Sequence, residues 1–431
     1  MIPLMGEQLL TSLMGMADSL MVTRVGSAAI SAVSLTDSIN VLMIQIFTAL
    51  ATGGTIICSQ YLGHEDLKRA NHAAEEVLLS ITLISAALGL TCVLFRLPIL
   101  HLVFGKVERA VMKNAQIYFL VTGISFPFLA IYQACAAFYR AGGNSRFPLT
   151  ISVIGNVMNI IGNAVYIFAF HWGVFGAALS TLLSRIFIAV VMLYFLHKPR
   201  QPIVLKDLLH VRPDLPMIRR ILAIGIPSGI ENGMFQFGKL AIQSSVSTLG
   251  TAAIAAQAMA IILENLNGIA AIGIGIGLMT IVGQTLGAGR TEEAKYYIIK
   301  LTFYSFFVMI AGCLLIRALT GPILFLSGME RASSVMVISM MNFITIMKIL
   351  VWTPAFIPAY GFRAAGDVRF SMIFSTISMW TARVLLVTLL IRVFGFGPIA
   401  VWYGQVLDWA VRAAVYTWRY FSGRWLRHKI I

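Results

Sequence analysis

The chain has 431 residues, 59% of them apolar and 11% charged, with a mean hydropathy of +0.87. A water-soluble domain carries about a quarter charged residues, so this composition excludes a surface wetted on all sides and indicates an integral membrane protein. At roughly 20 to 25 residues per crossing plus a short connector, the length holds about twelve helices and leaves no room for an appended enzyme domain. The net charge of +15 fits basic cytoplasmic loops better than a nucleic-acid partner, because inward-facing loops accumulate Lys and Arg.

Apolar windows punctuated by Gly, Pro and charge predict spans at 2–24, 28–57, 73–95, 113–138, 147–170 and 174–197. Past a polar, proline-bearing stretch they resume at 219–247, 252–285, 297–318, 333–361, 370–393 and 397–420. The first span has no basic leader, begins at Ile2 and Pro3 and contains Glu7 and Asp18, so it is read as a retained helix and not as a cleaved signal. Nineteen basic residues follow even-numbered spans or lie in the C-terminal tail, against eight on the other side. That asymmetry puts both termini in the cytoplasm. Cys58, Cys92, Cys135 and Cys313 lie in apolar runs without paired or metal-like spacing and are expected to be core residues.

The second six spans repeat the first. At an offset of 224, Pro3 meets Pro227, Glu7 meets Glu231, Gly26 meets Gly250, Gln60 meets Gln284 and Gly63 meets Gly287. At 223, Arg140 meets Arg363, Gly143 meets Gly366 and Phe147 meets Phe370. Chance does not hold one register from Pro3 to Phe147. An even number of spans per repeat gives both halves one orientation, related by an axis along the membrane normal. The expected fold is an all-α integral membrane protein of 12 transmembrane helices in two six-helix lobes related by that pseudo-two-fold. The N-terminal lobe covers 1–197, a cytoplasmic linker 198–220 and the C-terminal lobe 221–431. Two such lobes, rocking about a shared cavity, form a transporter architecture.

Six carboxylates fall inside these spans: Glu7, Asp18, Asp37, Glu231, Glu264 and Asp408. Each costs about 2.5–3.5 kcal/mol at mid-bilayer, so chance retention of all six is excluded. Asp18 shares a helical face with Met14, Thr11 and Glu7. On the fifth span Ser152, Asn156, Asn159, Asn163 and Tyr166 recur at helical spacing, a face that must look away from lipid. A desolvated carboxyl takes up a proton readily, and the same acid with amide and hydroxyl oxygens supplies hard ligands to sodium; both coupling ions stay open. In the second half, Asn232, Gln236, Lys239 and Gln243 share a face on the seventh span, and Gln257, Glu264 and Asn267 share one on the eighth. Lys239 and Glu264 read as a pair on neighbouring helices, and Glu264 also as the holder of a cationic substrate. Asp408 and Arg412, one turn apart, read as an intrahelical pair. Arg185, Lys348 and Arg383 have no assignment.

Gly273, Gly275 and Gly277 form a GxGxG run, but inside an apolar helix, where close packing is the expected use and a nucleotide is not. Pro127, Pro354 and Pro358 are expected to interrupt their helices. The sequence has no Walker motif, so no ATP-driven step is encoded.

The chain resembles the MATE (multidrug and toxic compound extrusion) family along nearly its whole length. The matching stretches are Met16-Ala17-Asp18-Ser19 with Arg24-Val25-Gly26, Gly173-Val174-Phe175-Gly176-Ala177-Ala178, Gly250-Thr251-Ala252-Ala253 with Gln257, Val282-Gly283-Gln284 through Gly289, and Phe362-Arg363-Ala364-Ala365-Gly366-Asp367. The resemblance implies a monomeric, multi-pass exporter in the inner (plasma) membrane, without a cofactor, that expels small organic cations in exchange for Na+ or H+. It implies that Asp18, Asn159, Asn163 and Thr181 bind the coupling cation, as metal ligands if that ion is Na+. Glu264, Asn267, Gln257, Gln236 and Asn156 are the expected lining of the substrate cavity. Two departures stand out: some relatives have a second acid where this chain has Asn163, and the second-half acids of one branch are replaced by Phe235 and the Trp352–Thr353 neighbourhood. Family members usually have a short cytoplasmic segment before the first helix, so the abrupt beginning at Met1 suggests a misplaced start or a trimmed end. The runner-up reading is a flippase for a lipid-linked precursor within the same superfamily, with Arg185, Lys239, Lys348 and Arg383 as a basic cavity. An uncoupled channel would need a continuous polar pore.

Overall fold

The computed structural model describes residues 2–23, 25–105, 108–199, 201–205, 213–428 and 430, and for 11–20, 23 and 27 the backbone only. Of the basic residues used for sidedness, Arg24, Lys106, Arg200, Lys206, Arg212 and Lys429 lie outside this set, as do the side chains of Thr11, Met14 and Asp18.

Helix is the sole regular structure among the described residues. The first half runs α1 (Ile2–Thr23), α2 (Ser27–Gly63), α3 (Leu67–Leu94), α4 (Arg96–Phe104), α5 (Arg109–Ile124), α6 (Phe126–Ala141), α7 (Arg146–Asn163) with a π-helical end at Ala164–Ala169, and α8 (Gly173–Leu196). The second runs α9 (Leu215–Val246), α10 (Thr251–Gly287), α11 (Thr291–Leu326), α12 (Arg331–Ala364), α13 (Val368–Ser378), a π segment at Met379–Leu385, α14 (Leu386–Arg392) and α15 (Ala400–Phe421). Among the described residues eight helices are long and apolar enough to cross a bilayer, and the bent pair α5–α6 makes a ninth. Two of the remaining helices carry charge that lowers their apolarity: Arg219, Arg220, Glu231 and Lys239 on α9, and Asp408, Arg412 and Arg419 on α15.

The repeat is visible in the backbone. Gly26 and Gly250 open α2 and α10 with φ of 132° and 91°, and Gly105 and Gly328 both have φ of 62°, conformations that a side chain would strain. Prolines behave differently in the two halves. Pro127 stands in the first turn of α6, after a 44° break from α5, where its missing N–H costs nothing. Pro354 and Pro358, expected to interrupt a helix, lie inside the continuous α12. Tight packing of α12 against its neighbours holds it together: Ala355, Ile357 and Phe362 are fully buried.

The chain falls into two compact units, Leu10–Gly229, and Met1–Leu9 with Ile230–Ile431. In the first, the opening turns of α9 lie on α2: a Cβ on Gly53 would come 2.9 Å from the Ile221 carbonyl oxygen, and one on Gly225 3.1 Å from the Leu50 Cα. In the second, the opening turns of α1 lie on α10, where a Cβ on Gly273 would stand 2.7 Å from the Met5 nitrogen. The GxGxG run is therefore a helix-packing device, as its setting suggested. All four cysteines are buried.

The described part of the inter-repeat stretch is strapped to α3. The Val204 amide donates to Asn71 Oδ1 at 3.0 Å, the Asp214 amide to Glu76 Oε1 at 3.0 Å, and His72 Nε2 to Asp214 Oδ2 at 3.2 Å. Hydrogen bonding from His72, then from the Met217 amide, holds the Asp214 carboxyl below its ordinary value of 3.8. A carboxyl with a depressed folded pKa contributes stability above its unfolded value and loses it as pH falls through the folded one. The strap is therefore expected to hold at neutral pH and to loosen only below about pH 4. Limited proteolysis of 201–214 across pH 7 to 3 checks this, with faster cleavage at the acid end in the native protein and Asp214→Asn cut readily at every pH.

Candidate functional site

In the Leu10–Gly229 unit, α7 and α8 approach closely because Gly155 faces Ile188 and Gly162 faces Ser180. That contact brings the amide stripe of α7 onto the hydroxyls of α8. Asn159 Nδ2 donates to Thr181 Oγ1 at 3.2 Å and to Ser180 Oγ at 3.4 Å, and Asn163 Nδ2 donates to Asn159 Oδ1 at 3.4 Å. Ser180 Oγ in turn donates to the Asn159 carbonyl at 2.7 Å. Three of the four expected coupling-site residues, Asn159, Asn163 and Thr181, thus form one connected cluster, and the fourth, Asp18, lies outside the described side chains. The cluster ends where the π segment begins, directly after Asn163. Such segments are rare and concentrate at functional positions. Ser180, which the sequence reading passed over, joins both strands of the network. Its signal was the Ser180–Thr181 pair set against two asparagines one turn apart.

The cluster offers amide and hydroxyl oxygens, hard ligands suited to an alkali cation. No group of three or more His, Cys, Asp or Glu residues able to hold a metal occurs among the described residues. Gly162→Ala would drive a methyl group into Ser180 Oγ. Overpacking costs about 1–3 kcal/mol, so this variant is expected to lower the melting temperature and weaken coupled efflux together, as read by a thermal-shift assay beside a transport assay.

Other members of the first-half polar set lie apart from this cluster. Asn156 donates along its own helix to Ser152 Oγ at 3.5 Å. Asp37 accepts from Asn40 Nδ2 at 3.1 Å and from Tyr118 OH at 3.4 Å. Arg185, unassigned from sequence, donates to Ser125 Oγ at 2.6 Å, at the α5–α6 break.

The Ile230–Ile431 unit is held by buried charge pairs. Lys348, 1% exposed, donates to Glu264 Oε1, to the Glu264 carbonyl at 2.8 Å and to Asn267 Oδ1 at 2.6 Å. The expected pairing of Glu264 with Lys239 is corrected: the partner is Lys348, because α10 packs along α12 and sets the two side chains face to face. Gly268, next to Asn267, leaves the space that the Lys348 ammonium fills. Asp408 and Arg412 pair at 2.8 Å, as their spacing indicated, and Asp408 also accepts from Ser378 Oγ at 2.5 Å. Glu231 accepts from Arg363 and from Ser375 Oγ, both at 2.8 Å. Of the other expected cavity residues, Gln257 is buried with both amide atoms unpartnered among the described residues, and Gln236 is half-buried.

The MatE family model matches residues 3–165 and again 227–389, two copies whose starts differ by 227 minus 3, the 224-residue offset of the repeat. The chain is 26% identical over 433 residues to the uncharacterized transporter YisQ of Bacillus subtilis, covering 99% of this chain and 93% of that protein. It is 25% identical to the probable multidrug resistance protein NorM of Thermotoga maritima, covering 100% and 92%. In structure it matches an outward-facing multidrug resistance MATE transporter at a TM-score of 0.89 with 20% identity, covering 98% of this chain and 94% of the other. A MOP superfamily transporter from Pyrococcus furiosus matches at 0.91 with 19% identity, covering 99% and 95%. At these identities the structures establish the fold alone. Matched by the family model in each half, this chain belongs to the MatE family, whose members are transporters and not enzymes.

Proposed function

We propose that the protein is a multidrug efflux transporter that exports small organic cations from the cell in exchange for Na+ or H+ by alternating access. Acting as a monomer, it has 12 transmembrane helices in two six-helix lobes, related by a pseudo-two-fold along the membrane normal, with both termini in the cytoplasm. The observation that carries the coupling is the Asn159–Asn163–Thr181 cluster, beside which the family resemblance puts Asp18. Full-length relatives with multidrug resistance names support the substrate class.

Exporting one positive charge is opposed by roughly 2.3 kcal/mol per 100 mV of membrane potential, so at least one returning cation must offset it. A cation held at Asp18 neutralises the carboxylate and changes which conformation is favoured, which links ion binding to substrate release. The flippase reading is not favoured, since Arg185 and Lys348 are engaged by protein groups. Efflux of a cationic dye from proteoliposomes, driven first by a Na+ gradient and then by a proton gradient, tests the proposal. Stimulation by one gradient is expected, and equal efflux with neither would refute exchange.

A further inference from the structure

After α15, Gly423 takes a left-handed φ of 63°, which glycine adopts without strain, and the chain turns into a short 3-10 helix, Arg424–Arg427. Trp425 anchors it. Its side chain is fully buried, its ring lies 5.7 Å from that of Phe362, and its indole N–H donates to the Tyr420 carbonyl at 3.2 Å, closing the turn on the end of α15. Asp367 fixes the segment beyond, accepting from Arg419 Nε at 2.8 Å and pairing with His428 Nε2 at 3.2 Å.

The first half makes the same fold-back without the charge. The offset of 223 that joins Arg140 to Arg363 sets 201–205 against 424–428, Gln-Pro-Ile-Val-Leu against Arg-Trp-Leu-Arg-His. Ile203 and Leu205 are buried as Trp425 is. Pro202 lies 3.4 Å from where a Cβ on Gly142 would stand, and Ile430 2.8 Å from one on Gly366. Apolar side chains therefore suffice to seat such a segment, and the arginines at 424 and 427 are additions that seating does not require.

Residues three apart eclipse in a 3-10 helix, so Arg424 and Arg427 leave the turn on one side while Trp425 points inward. Both arginines are exposed, and neither has an ion pair among the described residues. The Arg424 guanidinium stands 5.5 Å from the ring centroid of Trp418. Trp418 and Phe421, on the last turn of α15, are 53% and 76% exposed. Exposed aromatic residues at the end of a span mark the headgroup level of a bilayer, where anionic lipids attract basic groups and a guanidinium matches a phosphate with two parallel hydrogen bonds.

We propose that Arg424 and Arg427, held on the seated turn beside Trp418 and Phe421, form a binding site for the headgroup phosphate of an anionic phospholipid of the phosphatidylglycerol type. The site does not rest on the export reading.

The test titrates purified full-length protein in neutral detergent with phosphatidylglycerol or phosphatidylcholine carrying brominated acyl chains, and reads the quenching of tryptophan fluorescence. Phosphatidylglycerol is expected to bind more tightly than phosphatidylcholine. At about fivefold in affinity per basic residue at a membrane surface, Arg424→Gln/Arg427→Gln is expected to lose about thirtyfold in phosphatidylglycerol affinity with phosphatidylcholine binding unchanged. The single variant Arg427→Gln, expected to lose about fivefold, carries the test where the double variant melts early. Lys68→Gln/Arg69→Gln, which removes the same charge from the start of α3, is expected to keep the preference. A preference that survives in Arg424→Gln/Arg427→Gln, or that falls as far in Lys68→Gln/Arg69→Gln, would overturn the site. Displacement of the lipid by soluble glycerol phosphate at matched concentration would make this a free-phosphate site and overturn the lipid as its occupant.

Discussion

Asp18→Asn is expected to stop efflux of cationic dyes while leaving the protein in the membrane at its native level. The amide is nearly the same size as the acid, so packing is kept, but it has no charge for a returning cation to neutralise. Removing one partner of a desolvated charge interaction costs about 3–5 kcal/mol, and 3 kcal/mol is already about a hundredfold in affinity. The Asn159–Asn163–Thr181 cluster sets the scale for comparison. Asn159→Ala removes neutral hydrogen bonds to Thr181, Ser180 and Asn163, each with a net worth of about 0.5–1.5 kcal/mol, so it should weaken ion dependence without abolishing it. Dye accumulation in a pump-deficient strain, with ion titrations in proteoliposomes, ranks the two. Full activity of Asp18→Asn would remove the acid from the mechanism.

The second large effect concerns the pair that the sequence misassigned. Glu264→Gln leaves the Lys348 ammonium buried opposite a neutral amide, and Lys348→Met leaves the carboxylate without its cation. Either single change is expected to destabilise by about 3–5 kcal/mol, while the double change to Glu264→Gln and Lys348→Met should recover most of that loss. Thermal unfolding of the three variants measures the recovery. The same double variant separates structure from substrate binding: a structural pair predicts retained dye efflux, whereas a Glu264 that holds the exported cation predicts complete loss.

Why one pair was legible and the other was not is a matter of range. Asp408 and Arg412 are one helical turn apart, so helix geometry alone brings them together. Glu264 and Lys348 are 84 residues apart and meet only because of how α10 packs on α12, while Lys239 offered a nearer but wrong cation. The repeat was readable because two copies kept their glycines at the same positive-φ corners. The Asn159–Thr181 contact came from the family resemblance and not from spacing, for nothing in the α7 stripe says which helix it faces. Both π segments were invisible, since an extra residue in a helical turn is set by tertiary packing, and so was the place of Ser180 in the Asn159 network. The prolines show the same limit: Pro127 begins a helix, whereas Pro354 and Pro358 are absorbed within one because their neighbours keep it intact.

Helices α1 and α9 each begin on one unit and finish on the other, changing over between Leu9 and Leu10 and between Gly229 and Ile230. The evolutionary duplicate and the folding body are consequently not the same object. Each half of the sequence therefore relies on a helix end encoded in the other half to finish its packing, so a chain cut between the repeats would leave the backbone notches at Gly53 and Gly273 unfilled.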